Sequence, residues 1–148
     1  MKISQPKLVL NPYEWLPGYG ESKVTFRSAG TDLILDIEYD REDSSSCREV
    51  FLSMRREIVF IFTRTFIKTP FPYVDIFEHH GDSNGFNLGE LTEFSKSEYL
   101  DNDLKSWNSF HSSDPPKLRH FNIQFLSENI AFHVLAEDVY LSPEVFIG

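Results

Sequence analysis

Regular alternation of apolar and polar residues in Arg119–Leu141 constrains the fold more than any other feature of this sequence. Apolar side chains stand at every second position over 121–125, which is the period of a β-strand with one buried face. After a polar turn at 127–129 the same period resumes over 130–134. The two runs predict an antiparallel hairpin whose apolar rows share one core face, and the short run 139–141 extends the second strand or begins a new edge.

The other face of this hairpin is mixed in character. Ala131, His133 and Leu135 make it half apolar, so we expect another part of the chain to cover it. His120 lies on the polar side of the first strand, where we expect a surface or cross-strand residue.

Further strands are predicted from alternation, or from dense β-branched and aromatic residues. They cover 7–10, 23–27, 31–39, 57–67 and 73–77. Residues 48–56 fit a helix capped at Ser46 as well as a strand; we favour a strand for 48–54 and leave both interpretations open.

One helix is predicted over 95–108. Ser95 can cap it with Glu98 three residues later, and an apolar stripe follows. The stripe consists of Leu100, Leu104 and Trp107. Residues 1–148 are therefore expected to form a single α+β domain, a mostly antiparallel β-sheet with a C-terminal hairpin and one short packed helix.

Composition indicates a soluble cytoplasmic protein. Cys47 is the one cysteine, so an internal disulfide is excluded. The start of the chain lacks the apolar core of a signal peptide, and no run approaches the roughly 20 apolar residues that a membrane span needs.

The charge distribution points to a cationic partner. A net charge of −9 argues against binding nucleic acid or an anionic membrane, since phosphate contacts need clustered Lys and Arg. Residues 75–104 hold eight carboxylates against Lys96 alone, whereas 51–74 is basic. The asymmetry predicts an acidic face aimed at a cationic protein; the alternative is that these acids only keep the protein soluble.

No catalytic or metal-binding motif stands out. Glu78–Asp82 (EHHGD) has metal-ligand residue types, but adjacent histidines point apart and no HExxH or second cysteine supports a zinc site. Cys47 has no neighbouring nucleophile motif, and the glycines match neither a phosphate loop nor a dinucleotide fingerprint. We therefore expect no catalytic residue, no metal and no cofactor, and hence not an enzyme.

Over about 51–141 the chain resembles small acidic immunity proteins of bacterial contact-dependent inhibition and other polymorphic toxin systems. The resemblance lies in the SEYL helix start and in the closing HFNIQF and IAFHVLAEDV strands. It implies a non-catalytic inhibitor that binds a cognate toxin, often a nuclease with a basic active site.

Seven residues are the candidates for contacting such a toxin, as acids of the charged stretch or as aromatic anchors. They are Asp75, Glu78, Asp82, Phe86, Glu90, Glu93 and Tyr99. The alternative function is a small β-rich ligand-binding or enzymatic domain with a pocket between sheet and helix. A concave aromatic pocket with converging polar groups would favour that alternative.

Overall fold

The computed structural model describes residues 1–17, 21–42, 50–72 and 76–148, and most of them form two β-sheets. The strands are β1 (Lys2–Leu10), β2 (Lys23–Ala29), β3 (Asp32–Glu42), β4 (Phe51–Ile61), β5 (Thr65–Pro70), β6 (Glu78–His79), β7 (Leu91–Ser97), β8 (Arg119–Phe125), β9 (Ile130–Ala136), β10 (Asp138–Leu141) and β11 (Val145–Phe146). One α-helix, α1 (Glu98–Phe110), follows β7, and a 3-10 turn spans Pro12–Glu14.

The first sheet has six strands in the order β5-β9-β8-β7-β1-β6, and the second has the order β10-β4-β3-β2 with β11 also paired to β4. Among the described strands every pairing is antiparallel except that of β1 with β6. Two largely antiparallel sheets with one helix confirm the predicted α+β class.

The main core lies between the two sheets. Inward-facing residues of β3 and β4 meet those of β7, β8 and β9, and the rings of Phe60 and Phe121 lie 5.7 Å apart. Leu35 and Phe132 are also fully buried here. Each such side chain contributes roughly 2–3 kcal/mol by leaving water, so this layer supplies most of the hydrophobic driving force.

A second, smaller core lies on the other face of the six-stranded sheet. It is built from Ile3, Phe77, Phe94, Tyr99 and Leu135. Its outer layer is supplied by the helix and by residues 76–90. Residues 76–90 alone are called the covering segment below. The expectation that part of the chain covers this face of β9 is confirmed.

The prediction of one strand over 57–67 is wrong. The chain leaves β4 at Ile61, and Phe62 has φ 50°, a left-handed conformation that bulky side chains rarely adopt. Asp32 stabilises this bend by accepting a hydrogen bond from the Phe62 amide at 3.1 Å. The following residues then form β5 in the other sheet, so the bend at Phe62 joins the two layers.

Other boundaries also differ from the predictions. Residues 51–56 belong to β4, which excludes a helix there, while 46–49 with Cys47 lie outside the described residues. Of the two alternatives for the run 139–141, the second is confirmed: it does not extend β9 but forms β10, an edge strand of the other sheet that pairs with β4. Of the strand predicted over 73–77, residues 73–75 lie outside the described residues and Ile76 and Phe77 are not in a strand.

The helix starts later than predicted. Ser97 rather than Ser95 is the N-cap, and its hydroxyl accepts a hydrogen bond from the Leu100 amide at 3.2 Å. Ser95 is still part of β7, which runs directly into the cap. Among the described residues no helix is long and apolar enough to cross a membrane.

Truncating Phe121 to alanine tests the assignment of the main core. Phe121 is fully buried between the sheets, so F121A is expected to lower the free energy of unfolding by about 3–5 kcal/mol in urea denaturation. The control F51A removes a phenylalanine that is 63% exposed, and it should cost less than about 1 kcal/mol. Equal losses in the two variants would contradict the assignment.

Candidate functional site

A strip of buried polar side chains crosses the outer face of the six-stranded sheet. His120, Asn122 and Gln124 of β8 lie opposite the apolar row of the same strand, and His133 of β9 joins them. His120 is completely buried and His133 is 9% exposed. His120 was expected to be a surface or a cross-strand residue. It is a cross-strand residue, and it does not lie at the surface because the second core covers its strand.

These side chains form one continuous hydrogen-bonded chain. Ser97 Oγ lies 2.7 Å from His120 Nδ1, and His120 Nε2 lies 2.8 Å from His133 Nδ1. Asn122 Nδ2 lies 3.2 Å from His133 Nε2. The amide of Gln124 donates to Asn122 Oδ1 and accepts from the Gly89 backbone amide at 3.0 Å.

The direction of every bond in this chain follows from one contact. Asn122 Nδ2 donates to the backbone carbonyl of Phe132 at 3.0 Å, which identifies this atom as the amide nitrogen. Its second hydrogen then points at His133 Nε2, so that atom accepts and His133 carries its proton on Nδ1. His133 therefore donates to His120 Nε2, and His120 donates from Nδ1 to the Ser97 hydroxyl.

Burial keeps both imidazoles neutral. Desolvation lowers the pKa of His120 to about 3. Desolvation, followed by the effect of charge on His120 and on His79, lowers the pKa of His133 to about 2. Neutral rings agree with the hydrogen-bond directions, since each ring donates once and accepts once.

A cavity of about 260 Å³ lies between this polar strip and the covering segment. Its polar wall contains Thr69, Asn122, Gln124 and His133. Its aromatic wall includes Phe77, whose ring stacks on His133 with centroids 3.7 Å apart. The helix does not contribute to the described lining, so this cavity is not the pocket between sheet and helix that the sequence suggested.

Three of the predicted toxin-contacting acids lie on the covering segment and have no ion-pair partner among the described residues. These acids are Glu78, Asp82 and Glu90. Glu78 and Asp82 are exposed, and Asp82 is held in a turn by accepting from the Asn84 amide at 2.8 Å. Lys2 is the register partner of Glu78 on the neighbouring strand, and its positive charge reduces the negative charge around Glu78.

The remaining candidates lie in different surroundings. Glu93 forms an ion pair with Arg119 at 2.7 Å, and Asp75 lies outside the described residues. Phe86 is half-buried beside His79, with ring centroids 4.5 Å apart. Tyr99 is 9% exposed and belongs to the second core, so its ring is not available as a surface anchor.

The basic stretch before residue 75 does not stay separate from the acids. Arg64 of this stretch pairs with Asp103 at 2.9 Å. The acidic stretch is therefore partly neutralised, and its acids without an ion pair among the described residues are Glu78, Asp82 and Glu90 of the covering segment and Glu98 and Asp101 of α1. Within the described part of the chain, no three His, Cys, Asp or Glu side chains come together in a way that could hold a metal ion.

Sequence reasoning missed the buried chain, although a signal for it was present. Alternation places His120, Asn122 and Gln124 on the polar side of their strand, and the half-apolar row of β9 beside them indicates a cover. A polar row directly beside a covered row has to be buried with it, and buried polar groups need partners.

Comparisons with protein family models, with curated proteins and with solved structures find no match to this chain.

The neutral histidines predict a loss of stability in mild acid. Below pH 6.5 the unfolded chain protonates these histidines and the folded protein does not, so the free energy of unfolding falls as the pH falls. Between pH 6.5 and 5.0 the two residues together should cost about 3 kcal/mol in urea denaturation. The variant H133Q should lose about half of this pH-dependent change. Equal stability at the two pH values would contradict burial of two neutral imidazoles.

Proposed function

We propose that this protein is a non-catalytic, cytoplasmic immunity protein that binds and neutralises a cognate toxin with a cationic surface. The observation that supports the proposal is the concentration of Glu78, Asp82 and Glu90 on one segment without ion-pair partners among the described residues. Unpaired surface carboxylates cost little in water and attract a cationic protein at long range.

Ion pairs with arginine remove some acids of the charged stretch from the proposed interface. Glu93 and Asp103 are each held by an arginine, so they contribute less to the outward field than their number in the sequence implies. Phe86 belongs to the same segment as the unpaired acids and is half-buried, which suits an anchor that becomes fully buried on binding. The interface is therefore proposed to centre on the covering segment.

The buried histidines support a role without catalysis. Both ring nitrogens of His120 and of His133 are engaged within the hydrogen-bonded chain. A general base has to present a free nitrogen to a substrate proton, and a pKa far below 7 makes a weak base. The strip is better suited to holding the sheet and its cover together.

The cavity favours a second candidate function, that of a ligand-binding domain. An aromatic wall facing converging neutral polar groups is the usual composition of a small-molecule pocket. The site lies between the sheet and the covering segment, and it shares Phe86 with the proposed toxin interface.

Charge reversal on the covering segment tests the immunity proposal. With the toxin encoded beside this gene as the partner, E78K/D82K should slow association roughly tenfold at low salt and change the dissociation rate much less. The wild-type association rate should also fall with rising salt, because exposed charges are screened beyond about 8 Å at 0.15 M. Stopped-flow or surface-based kinetics measure both rates.

The matched control is E42K/E137K, which makes the same change in net charge. Glu42 and Glu137 are exposed, lie away from the covering segment in sequence, and form no ion pair with a described residue. In cells that co-express the toxin, the control should restore growth and E78K/D82K should restore it less at equal abundance. Full rescue by both variants would mean that the segment serves only as a soluble surface.

A further inference from the structure

The cavity beneath the covering segment has the features of a specific site. We propose that it binds an uncharged, planar small molecule that carries a carboxamide-like pair of one hydrogen-bond donor and one acceptor. The inference deepens the ligand-binding candidate above and is independent of the toxin partner.

The wall favours an uncharged ligand. No carboxylate, lysine or arginine is among the described residues that line the cavity. A buried charge is costly unless an opposite charge or several hydrogen bonds compensate it, and His133 stays neutral because burial lowers its pKa. Among the described lining residues, an anion would therefore find no cation and a cation would find no carboxylate.

The aromatic wall favours a flat ligand. Phe71, Phe77, Phe86 and His79 all contribute rings to the lining. Rings of this kind gain most from an offset-stacked or edge-on partner ring. A volume of about 260 Å³ is close to the lower limit for ligand pockets, so a single-ring molecule suits it.

Unused hydrogen-bonding capacity supplies the polar part of the argument. Gln124 spends one amide hydrogen on Asn122 and one oxygen lone pair on Gly89, which leaves one donor and one acceptor position. Thr69 is only 9% exposed and lines the cavity, where its hydroxyl is available to a ligand. A hydroxyl can both donate and accept a hydrogen bond, so a ligand that carries one donor and one acceptor can bond to Thr69 as well as to Gln124.

Three nearly isosteric probes test the charge class directly. Benzamide is neutral, benzoate is anionic and benzamidine is cationic, while ring and shape stay almost constant. Each is titrated at pH 7.5 into isotopically labelled full-length protein. Benzamide should shift the NMR signals of the Gln124 side-chain amide and the His133 backbone amide at millimolar concentrations, and the charged probes should bind at least about tenfold more weakly.

A pair of threonine variants locates the binding. Valine is nearly isosteric with threonine, so T69V removes the hydroxyl with little change in volume and should weaken benzamide about threefold or more. The control T25V makes the same replacement on the exposed strand β2 and should leave the affinity unchanged. Thermal unfolding checks that both variants are folded.

The outcomes separate the two levels of the proposal. Tighter binding of benzoate or benzamidine at the same signals would overturn the uncharged class and leave the ligand-binding candidate standing. Absence of a localised shift with all three probes up to their solubility limits would overturn the site itself. Equal benzamide affinity in T69V and wild type would remove the assigned role of Thr69 and, with it, the hydrogen-bonding basis of the proposal.

Discussion

The hydrogen bond from Asn122 to the carbonyl of Phe132 is the contact on which the outer half of this structure depends. Because it orients the Asn122 amide, it also determines the proton positions on His133 and His120. Four polar side chains can then be buried on one sheet face with a donor facing an acceptor at every contact between them. A reversed amide would place two donors or two acceptors face to face inside the protein, which is costly away from water.

The same chain of bonds holds the cover in place at both ends. At one end Ser97 accepts from His120 and caps α1 through Leu100; at the other, Gln124 holds the Gly89 amide. Gly89 has φ 86°, and a Cβ there would lie 2.3 Å from the Tyr13 ring, so the close approach of this turn requires glycine. Helix and covering segment are thus both anchored by a polar strip rather than by apolar packing alone.

Local pattern predicted most strands and which face of the last hairpin is buried, but it did not predict the division of the strands into two sheets or the crossings between them. The alternation in β8 and β9 identified the inward row correctly, because a period of two reports directly on which face is buried. The bend at Phe62 was missed because strand-forming residues stand on both sides of it and no Gly or Pro marks it. The unpaired acids of the proposed toxin-binding site could not be predicted from local sequence. Ion pairs such as Arg64–Asp103 and Glu93–Arg119 join residues remote in sequence, and they decide which carboxylates stay unpaired.

The two proposed sites meet on one short piece of chain. His79 and Phe86 line the cavity from the covering segment, and Glu78 and Asp82 of that segment lie at the proposed partner surface. Thermodynamic linkage requires that any change a cavity ligand makes to partner affinity equals the change the partner makes to ligand affinity. Benzamide affinity is therefore measured with and without the toxin. A change in affinity means that the two sites are coupled through the covering segment, and an unchanged affinity means that they are independent.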